Sequence, residues 1–116
     1  MANFMQAEQL NGVFHALSDP TRRAVLAKLT LGEASVSDLA RDHEIALPTF
    51  LRHLGVLEDG GLIATRKRGR VRFCRIRSEN LDLAQDWIGS QRRAWNRKLN
   101  RLGEMLAGQE GGEHDD

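Results

Sequence analysis

The sequence has few of the features that secreted or membrane proteins rely on. It contains one cysteine, Cys74, so no disulfide can form within the chain, and such cysteine usage fits a reducing compartment. No apolar run approaches the length of about 20 residues that a membrane span requires. The opening residues, MANFMQAEQLNG, include neither a basic segment nor an apolar one, which is unlike a signal peptide. We therefore expect a cytoplasmic protein.

Sequence features of catalysis are also scarce. There is no glycine-rich phosphate loop, and the serines and four histidines have no carboxylate partner in a catalytic spacing. A thiophilic metal needs two or more thiolates, or a thiolate plus imidazole, held close together. The chain offers one thiol, and its histidines lie in four different segments. We expect no enzyme activity, no cofactor and no metal site.

Length and composition suit one small domain. The chain has 116 residues, of which 41% are hydrophobic, enough to form a modest core. Its end differs from the rest: GQEGGEHDD, residues 108–116, is rich in glycine and acidic residues and has nothing to bury. This composition predicts a disordered acidic tail after a domain of residues 1–107.

Positive charge is concentrated in one segment. RKRGRVRFCRIR, residues 66–77, holds seven basic residues and no acidic one. The whole chain has a net charge of only +1, so the remaining ten basic and sixteen acidic residues sum to −6. Cations that neutralise phosphates release counterions, so the segment predicts sequence-independent affinity for nucleic acid and a fixed orientation on it. A solvated surface strand is the alternative interpretation.

Hydrophobic spacing and capping residues predict five helices. Pro20 follows Ser18 and Asp19, either of which can cap a helix, and Pro48 opens a later one. Ser35 is placed to cap the helix between them. The predicted helices cover residues 10–17, 20–32, 36–43 and 48–59, and a last helix runs from residue 79 or 81 to about 106.

A β-hairpin is predicted between the last two helices. LIATRK and RVRFCRI flank Arg68-Gly69, which reads as a two-residue turn that pairs Lys67 with Arg70. One face of this hairpin would carry Leu62, Ala64, Val71 and Phe73. The other face would carry Ile63, Thr65, Lys67, Arg70, Arg72 and Cys74.

Two short helices followed by a basic hairpin form a winged helix-turn-helix pattern. The second helix is expected to bury Phe50, Leu54 and Leu57, so its polar residues project away from the core. A helix fits the major groove, where an arginine donates two hydrogen bonds to guanine and a threonine methyl contacts thymine. The predicted DNA-binding residues are Thr49, Leu51, Arg52, His53, Arg66, Lys67, Arg68, Arg70 and Arg72.

The last helical pattern is too long for a core of this size. It spans about 40 Å at 1.5 Å per residue. Its apolar stripe is therefore expected to pack against a second copy of the chain. The residues predicted at that interface are Ile88, Trp95, Leu99, Leu102 and Leu106.

Several stretches resemble the bacterial ArsR/SmtB-type transcriptional repressors. They are ALSDPTRRAVLAKL, SVSDLA, LPTFLRHLGVLEDGGLI and RKRGRVRFCRI, which follow in that order over roughly residues 9–77. The ending WIGSQRRAWNRKLNRLGEML is similar to a subgroup with a long C-terminal helix containing tryptophan and arginine. The resemblance implies a homodimeric repressor whose first helix, with Leu10, and last helix form the dimer interface. The second short helix would read a DNA operator and the wing would hold the flanking backbone.

The chain departs from this family pattern in two ways. Many members carry serine at the positions of Ala46 and Leu51, near the start of the reading helix. The thiol-rich metal motif of many members is absent, because SVSDLARDHEI contains no cysteine. The resemblance therefore implies a non-metal-sensing subgroup and leaves a small-molecule effector and oxidation of Cys74 open. An RNA-binding or protein-interaction module that uses the basic hairpin is the alternative, although RNA helices hide their major groove.

Overall fold

The computed structural model describes residues 2–109, and these form five helices and three strands. In chain order they are α1 (Ala2–Leu17), α2 (Pro20–Leu29), β1 (Ala34–Ser35), α3 (Val36–Arg41), α4 (Leu47–Asp59), β2 (Ile63–Arg68), β3 (Val71–Ile76) and α5 (Glu79–Gln109). The predicted fold class, mainly helical with a basic hairpin, is confirmed. The predicted tail falls on residues 108–116; the first two end α5, and residues 110–116 lie outside the described residues.

Two of the helices begin at the predicted caps. Asp19, rather than Ser18, caps α2: its Oδ2 accepts from the backbone N–H of Thr21 at 2.8 Å and of Arg22 at 3.1 Å. Partial burial by itself raises the pKa of Asp19, but the hydrogen bonds from the Arg22 and Thr21 amides and the charge of Arg22 outweigh it and hold that pKa below its usual value. The hydroxyl of Ser35 caps α3 in the same way, accepting from the N–H of Asp38.

Two helices end earlier than the apolar spacing predicts. The predicted end of α2 at Gly32 is wrong, because α2 ends at Leu29 and the amides of residues 31 and 32 donate to carbonyls three residues back, not four. Gly32 then leaves the helical direction with φ of +138°. The predicted end of α3 at residue 43 is also wrong: α3 ends at Arg41, after which residues 42–43 bond three residues back.

The core draws side chains from every helix and from the hairpin. A close approach of α1 to the end of α4 helps to close it, since a Cβ at Gly60 would lie 2.9 Å from the carbonyl oxygen of Gly12. Only glycine permits backbone contact of this kind. The buried apolar residues are Val13, Ala16, Val25, Leu26, Leu29, Leu39, Phe50, Leu54, Leu57, Leu62, Ile63, Cys74 and Ala84.

The sheet has three strands rather than two. The short strand β1 pairs antiparallel with β3, which pairs with β2, so the order is β1-β3-β2. Ala34 lies opposite Cys74 and Ser35 opposite Phe73. The hairpin is therefore anchored at its base to the residues that lead into α3, and the predicted two-stranded wing, β2 and β3, is joined there by a third strand that the sequence did not predict.

The turn of the hairpin is displaced by one residue from its predicted position. Arg68 lies opposite Val71 and Lys67 opposite Arg72, so the turn is Gly69-Arg70 and the predicted pairing of Lys67 with Arg70 is wrong. Gly69 has φ of +63°, and no residue other than glycine has a positive φ in the described part of the chain. A two-residue turn with positive φ only at its first position favours glycine there, which places the turn one residue later.

The long helix α5 belongs to two structural units. Its first turns belong with the core: Ala84 is buried, and the Nδ2 of Asn80 donates to the carbonyl oxygen of Gly60 at 2.9 Å. From residue 85 onward the helix is a unit by itself. Within residues 2–109, no helix combines the length and apolar content that crossing a bilayer requires.

Candidate nucleic-acid interface

The reading helix α4 is divided into a buried face and an exposed face. Phe50, Leu54 and Leu57 are buried, as the apolar spacing predicts. Arg52 is exposed and Thr49 is half-buried, and both lie off the buried stripe. These two side chains are thus positioned as the sequence predicts for contact with a groove.

His53 is placed differently from its prediction. Its Nδ1 lies 2.9 Å from Nη1 of Arg22, and its side chain is only 19% exposed. A guanidinium can only donate, so Nδ1 accepts this hydrogen bond and the neutral ring carries its proton on Nε2. The prediction that His53 projects away from the core with Arg52 is wrong. Its contact with DNA stays a prediction, reduced to a single donor atom, Nε2.

Arg22 holds three segments of the chain together. Its side chain is nearly buried, with 7% of the residue exposed. The Nε donates to the carbonyl oxygen of Ala16 and Nη2 to that of His15, each at 2.9 Å, while Nη1 donates to His53. The two carbonyls belong to the last turn of α1 and have no partner within that helix. One guanidinium of α2 therefore caps α1 and fixes a side chain of α4.

The neighbouring arginine completes the cap of α1. Nη1 of Arg23 donates to the carbonyl oxygen of Leu17 at 2.7 Å, and the hydroxyl of Ser18 donates to that of His15. Two cations at the C-terminal end of a helix are also favoured by its dipole. The DPTRR stretch thus starts α2 with Asp19 and ends α1 with its two arginines. In the sequence, the signal for this cap is the pair of arginines, Arg22 and Arg23, that follows the predicted end of the first helix.

The wing contains two kinds of cation. Arg66, Lys67 and Arg70 are exposed and have no ion pair or side-chain hydrogen bond within residues 2–109. By contrast, Arg68 donates to Oε1 of Glu33 at 3.0 Å and lies 4.0 Å from the centre of the Phe73 ring. The first three are therefore available to phosphates, whereas Arg68 already has an acidic partner.

Arg72 is intermediate between these two kinds of cation, because within residues 2–109 it has a hydrogen-bond partner but no acidic one. Its Nη1 donates to the hydroxyl of Thr65 at 3.0 Å, a neutral acceptor that leaves its charge uncompensated. Together with Arg70 it lines an open notch whose opposite wall is the start of α4, including Leu51. Of the predicted residues, Leu51 of α4 and Arg70 and Arg72 of the wing therefore border one concave surface.

Cys74 is buried at the base of the wing. Removal from water raises the pKa of its thiol, the negative charge of Glu58 raises it further, and the opposing effect of Arg72 is smaller. The sequence leaves oxidation of Cys74 open, and burial of the side chain in the core disfavours the thiolate that oxidation requires. Within the described residues, no three His, Cys, Asp or Glu side chains are grouped so as to hold a metal ion.

The arrangement defines a class of protein. A short helix, a reading helix with a buried and an exposed face, and a hairpin carrying unpaired cations constitute a winged helix-turn-helix DNA-binding fold. A family model described as a helix-turn-helix domain matches residues 17–66, from the end of α1 into β2.

The comparison with known proteins narrows this class. The chain is 30% identical to the transcriptional repressor SdpR of Bacillus subtilis, over 68% of this chain and 88% of that protein. It is 33% identical to an arsenical resistance operon repressor of Staphylococcus xylosus, over 67% of this chain and 75% of that protein. These similarities show that the chain belongs to the ArsR/SmtB-type family of winged helix-turn-helix transcriptional regulators.

Solved structures agree with this family. The crystal structure of an ArsR family transcriptional regulator is 50% identical, with a TM-score of 0.75 over 78% of this chain and 93% of that one. An ArsR-like regulator from Rhodococcus sp. RHA1 is 28% identical, with a TM-score of 0.74 over 85% of this chain and 93% of that one. The family resemblance inferred from the sequence is confirmed.

Replacing Arg22 with Met should destabilise the fold by about 3 kcal/mol, because the carbonyl of Ala16 and the Nδ1 of His53 lose their donor and the carbonyl of His15 keeps only Ser18. The matched control is Arg23→Met, which removes one hydrogen bond at an exposed residue and should cost less than about 1 kcal/mol. Urea denaturation followed by circular dichroism measures both. Equal losses would contradict the special position of Arg22.

Cys74 should be unreactive toward thiol reagents while the protein is folded, because the thiolate is the reactive form and burial disfavours it. Ellman's reagent should label the native chain far more slowly than the chain in denaturant. Labelling at the rate of a free thiol in both conditions would show that the side chain is accessible.

Proposed function

We propose that this protein represses transcription in the cytoplasm by binding a short inverted-repeat DNA operator as a homodimer. The observation that carries the proposal is that Leu47 and Leu51 at the start of α4 and two cations of the wing, Arg70 and Arg72, border one concave surface, with Arg52 exposed on the same helix. The relatives from Bacillus subtilis and Staphylococcus xylosus named above are both repressors, which supports this activity. The function is one of binding, and the chain turns over no substrate.

The start of α4 supplies the sequence-specific contacts. Arg52 lies opposite the buried stripe, where its guanidinium is free to donate two hydrogen bonds to a guanine edge. Thr49 flanks it on the same helix and offers a methyl and a hydroxyl. The Nε2 of His53 is a donor and suits a phosphate oxygen or a purine acceptor.

The wing supplies affinity that does not depend on sequence. Arg66, Lys67 and Arg70 carry charges that no acidic side chain compensates within residues 2–109. Each phosphate that they neutralise releases counterions from the duplex. The acidic remainder of the chain repels DNA, so the wing and α4 together set the orientation of binding.

The second unit supplies the dimer interface. Large apolar side chains on α5 are exposed at helical spacing, and an exposed stripe of this size is typical of a protein contact. They include Ile88, Trp95, Leu99, Leu102 and Leu106. On α1, Leu10 is half-buried against the core, and its exposed part is a further proposed contact of the dimer. A two-fold dimer then requires half-sites about one helical turn apart, roughly 34–36 Å.

Metal sensing is not part of the proposal. Arsenical resistance appears in the names of two relatives and describes those proteins. In this chain the single thiol is buried and its pKa is raised, which disfavours the thiolate that a thiophilic ion requires. Release from DNA would come from a small-molecule effector or from a change in protein level.

The proposal is tested by using the full chain to select duplexes from a randomised DNA library. The affinity of the chain for the selected duplexes is then measured by mobility shift. Enrichment of an inverted repeat, with much weaker binding to duplex RNA of the same sequence, is the expected result. Equal binding to RNA would favour the alternative RNA-binding module, and no enrichment would contradict operator recognition.

Replacing Leu99 with Glu should convert the dimer to monomers, because it places a charge within the exposed apolar stripe of α5. Ala94→Glu adds the same charge about 140° around the helix from Leu99, off the apolar stripe, and should leave the dimer intact. Light scattering at micromolar concentration measures both variants. A wild-type chain that is already monomeric would contradict the proposed interface.

Replacing Arg70 with Ala should weaken binding to operator and random DNA alike. It should flatten the dependence of log K on log salt by about 0.9, the value for one lost phosphate contact. Arg68→Ala is the matched control and should change the slope less, because Arg68 is paired with Glu33 and stacked on Phe73. An unchanged slope for the Arg70 variant would mean that this cation faces solvent in the complex.

A further inference from the structure

We propose that the notch between α4 and the wing receives the 5-methyl group of a thymine, so that each half-site contains a thymine read by Leu51. This inference rests on the proposed DNA-binding function and adds the chemistry of one base position. The notch is an open concavity of about 410 Å³ lined by Val36, Ser37, Leu47, Leu51, Arg70, Val71 and Arg72.

The walls of the notch are apolar without contributing to the core. Leu47 and Leu51 are 54% and 47% exposed, and Val71 is 42% exposed. The two leucines are four residues apart on α4 and therefore share a face of the helix. The core closes without any of these three side chains. Their exposed surface is thus free to bury an apolar group of a ligand.

The cations at the rim of the notch restrict the chemical class of its ligand. Arg70 has no partner within residues 2–109, and Arg72 bonds only the hydroxyl of Thr65. A fitting ligand therefore carries a small apolar group beside a negative charge. Thymidine in duplex DNA has both, since its 5-methyl group lies in the major groove and its phosphate lies on the neighbouring backbone.

The position of Leu51 on α4 favours DNA over other occupants. Leu51 directly precedes Arg52, the residue proposed to contact a base edge. Successive residues of a helix point about 100° apart, so a helix that brings Arg52 into the groove brings Leu51 against its wall. Burying one methyl group contributes about fourfold in affinity, which is enough to set a preference for thymine over cytosine or uracil.

The test uses the full chain and the duplexes that it selects from a randomised library. Each thymine is replaced singly by deoxyuridine, which removes only the methyl group. One thymine in each half-site should show a loss of about fourfold, and the other positions should show none. Leu51→Ala should bind the thymine and deoxyuridine duplexes equally. Leu31→Ala, at another exposed leucine outside the notch, should keep the discrimination.

The outcomes separate this inference from the proposed function. Equal binding of thymine and deoxyuridine at every position would overturn methyl reading and leave DNA binding standing. Discrimination that persists in Leu51→Ala would also overturn the notch as the reader. If Leu51→Ala lost self-association while its DNA binding stayed unchanged, the notch would be a protein contact and the proposal of thymine reading would be overturned. Failure to select any duplex would overturn both proposals.

Discussion

The guanidinium of Arg22 is the contact on which the position of the reading helix depends. It donates to two carbonyls at the end of α1 and to the Nδ1 of His53 on α4, while its own backbone amide helps to cap α2. A planar group with five donors can satisfy acceptors from several elements at once. A displacement of α1 must therefore break these hydrogen bonds or move α4 with it. The direction in which Arg52 and Leu51 point is coupled to the rest of the helical core.

The proposed binding surface combines two contributions that the fold keeps distinct. The start of α4 presents a few side chains of defined geometry, which suits the discrimination of bases. The wing presents charge, and the ion pair between Arg68 and Glu33 shows that part of this charge serves the attachment of the wing itself. The short strand β1 attaches β3 to the segment that enters α3. The base of the charged hairpin is thereby paired to the segment that leads into the helix-turn-helix.

Residues adjacent in the sequence predict most of the helices and their caps. The features that the sequence does not predict depend on contacts between distant residues, on a choice between equivalent strand registers, or on a strand too short to show a pattern. The caps at Asp19 and Ser35 follow from residues next to each helix. The sequence does not distinguish the predicted hairpin register from the observed one, because they differ by two residues and leave every side chain on the same face. Lys67 pairs with residue 72 rather than with residue 70. The inward turn of His53 depends on an arginine 31 residues earlier, which periodicity cannot reveal. Strand β1 has two residues, too few to show alternation.

The most direct test of the account is arginine modification of the full chain by phenylglyoxal, with and without its selected duplex, read by mass spectrometry. The central claim is that α4 and the wing together are the DNA-binding surface. DNA should protect Arg52, Arg66 and Arg70, while the exposed Arg97 and Arg101 of α5 should react equally in both states. Protection of the α5 arginines, with Arg52 and Arg70 still reactive on the duplex, would contradict the account.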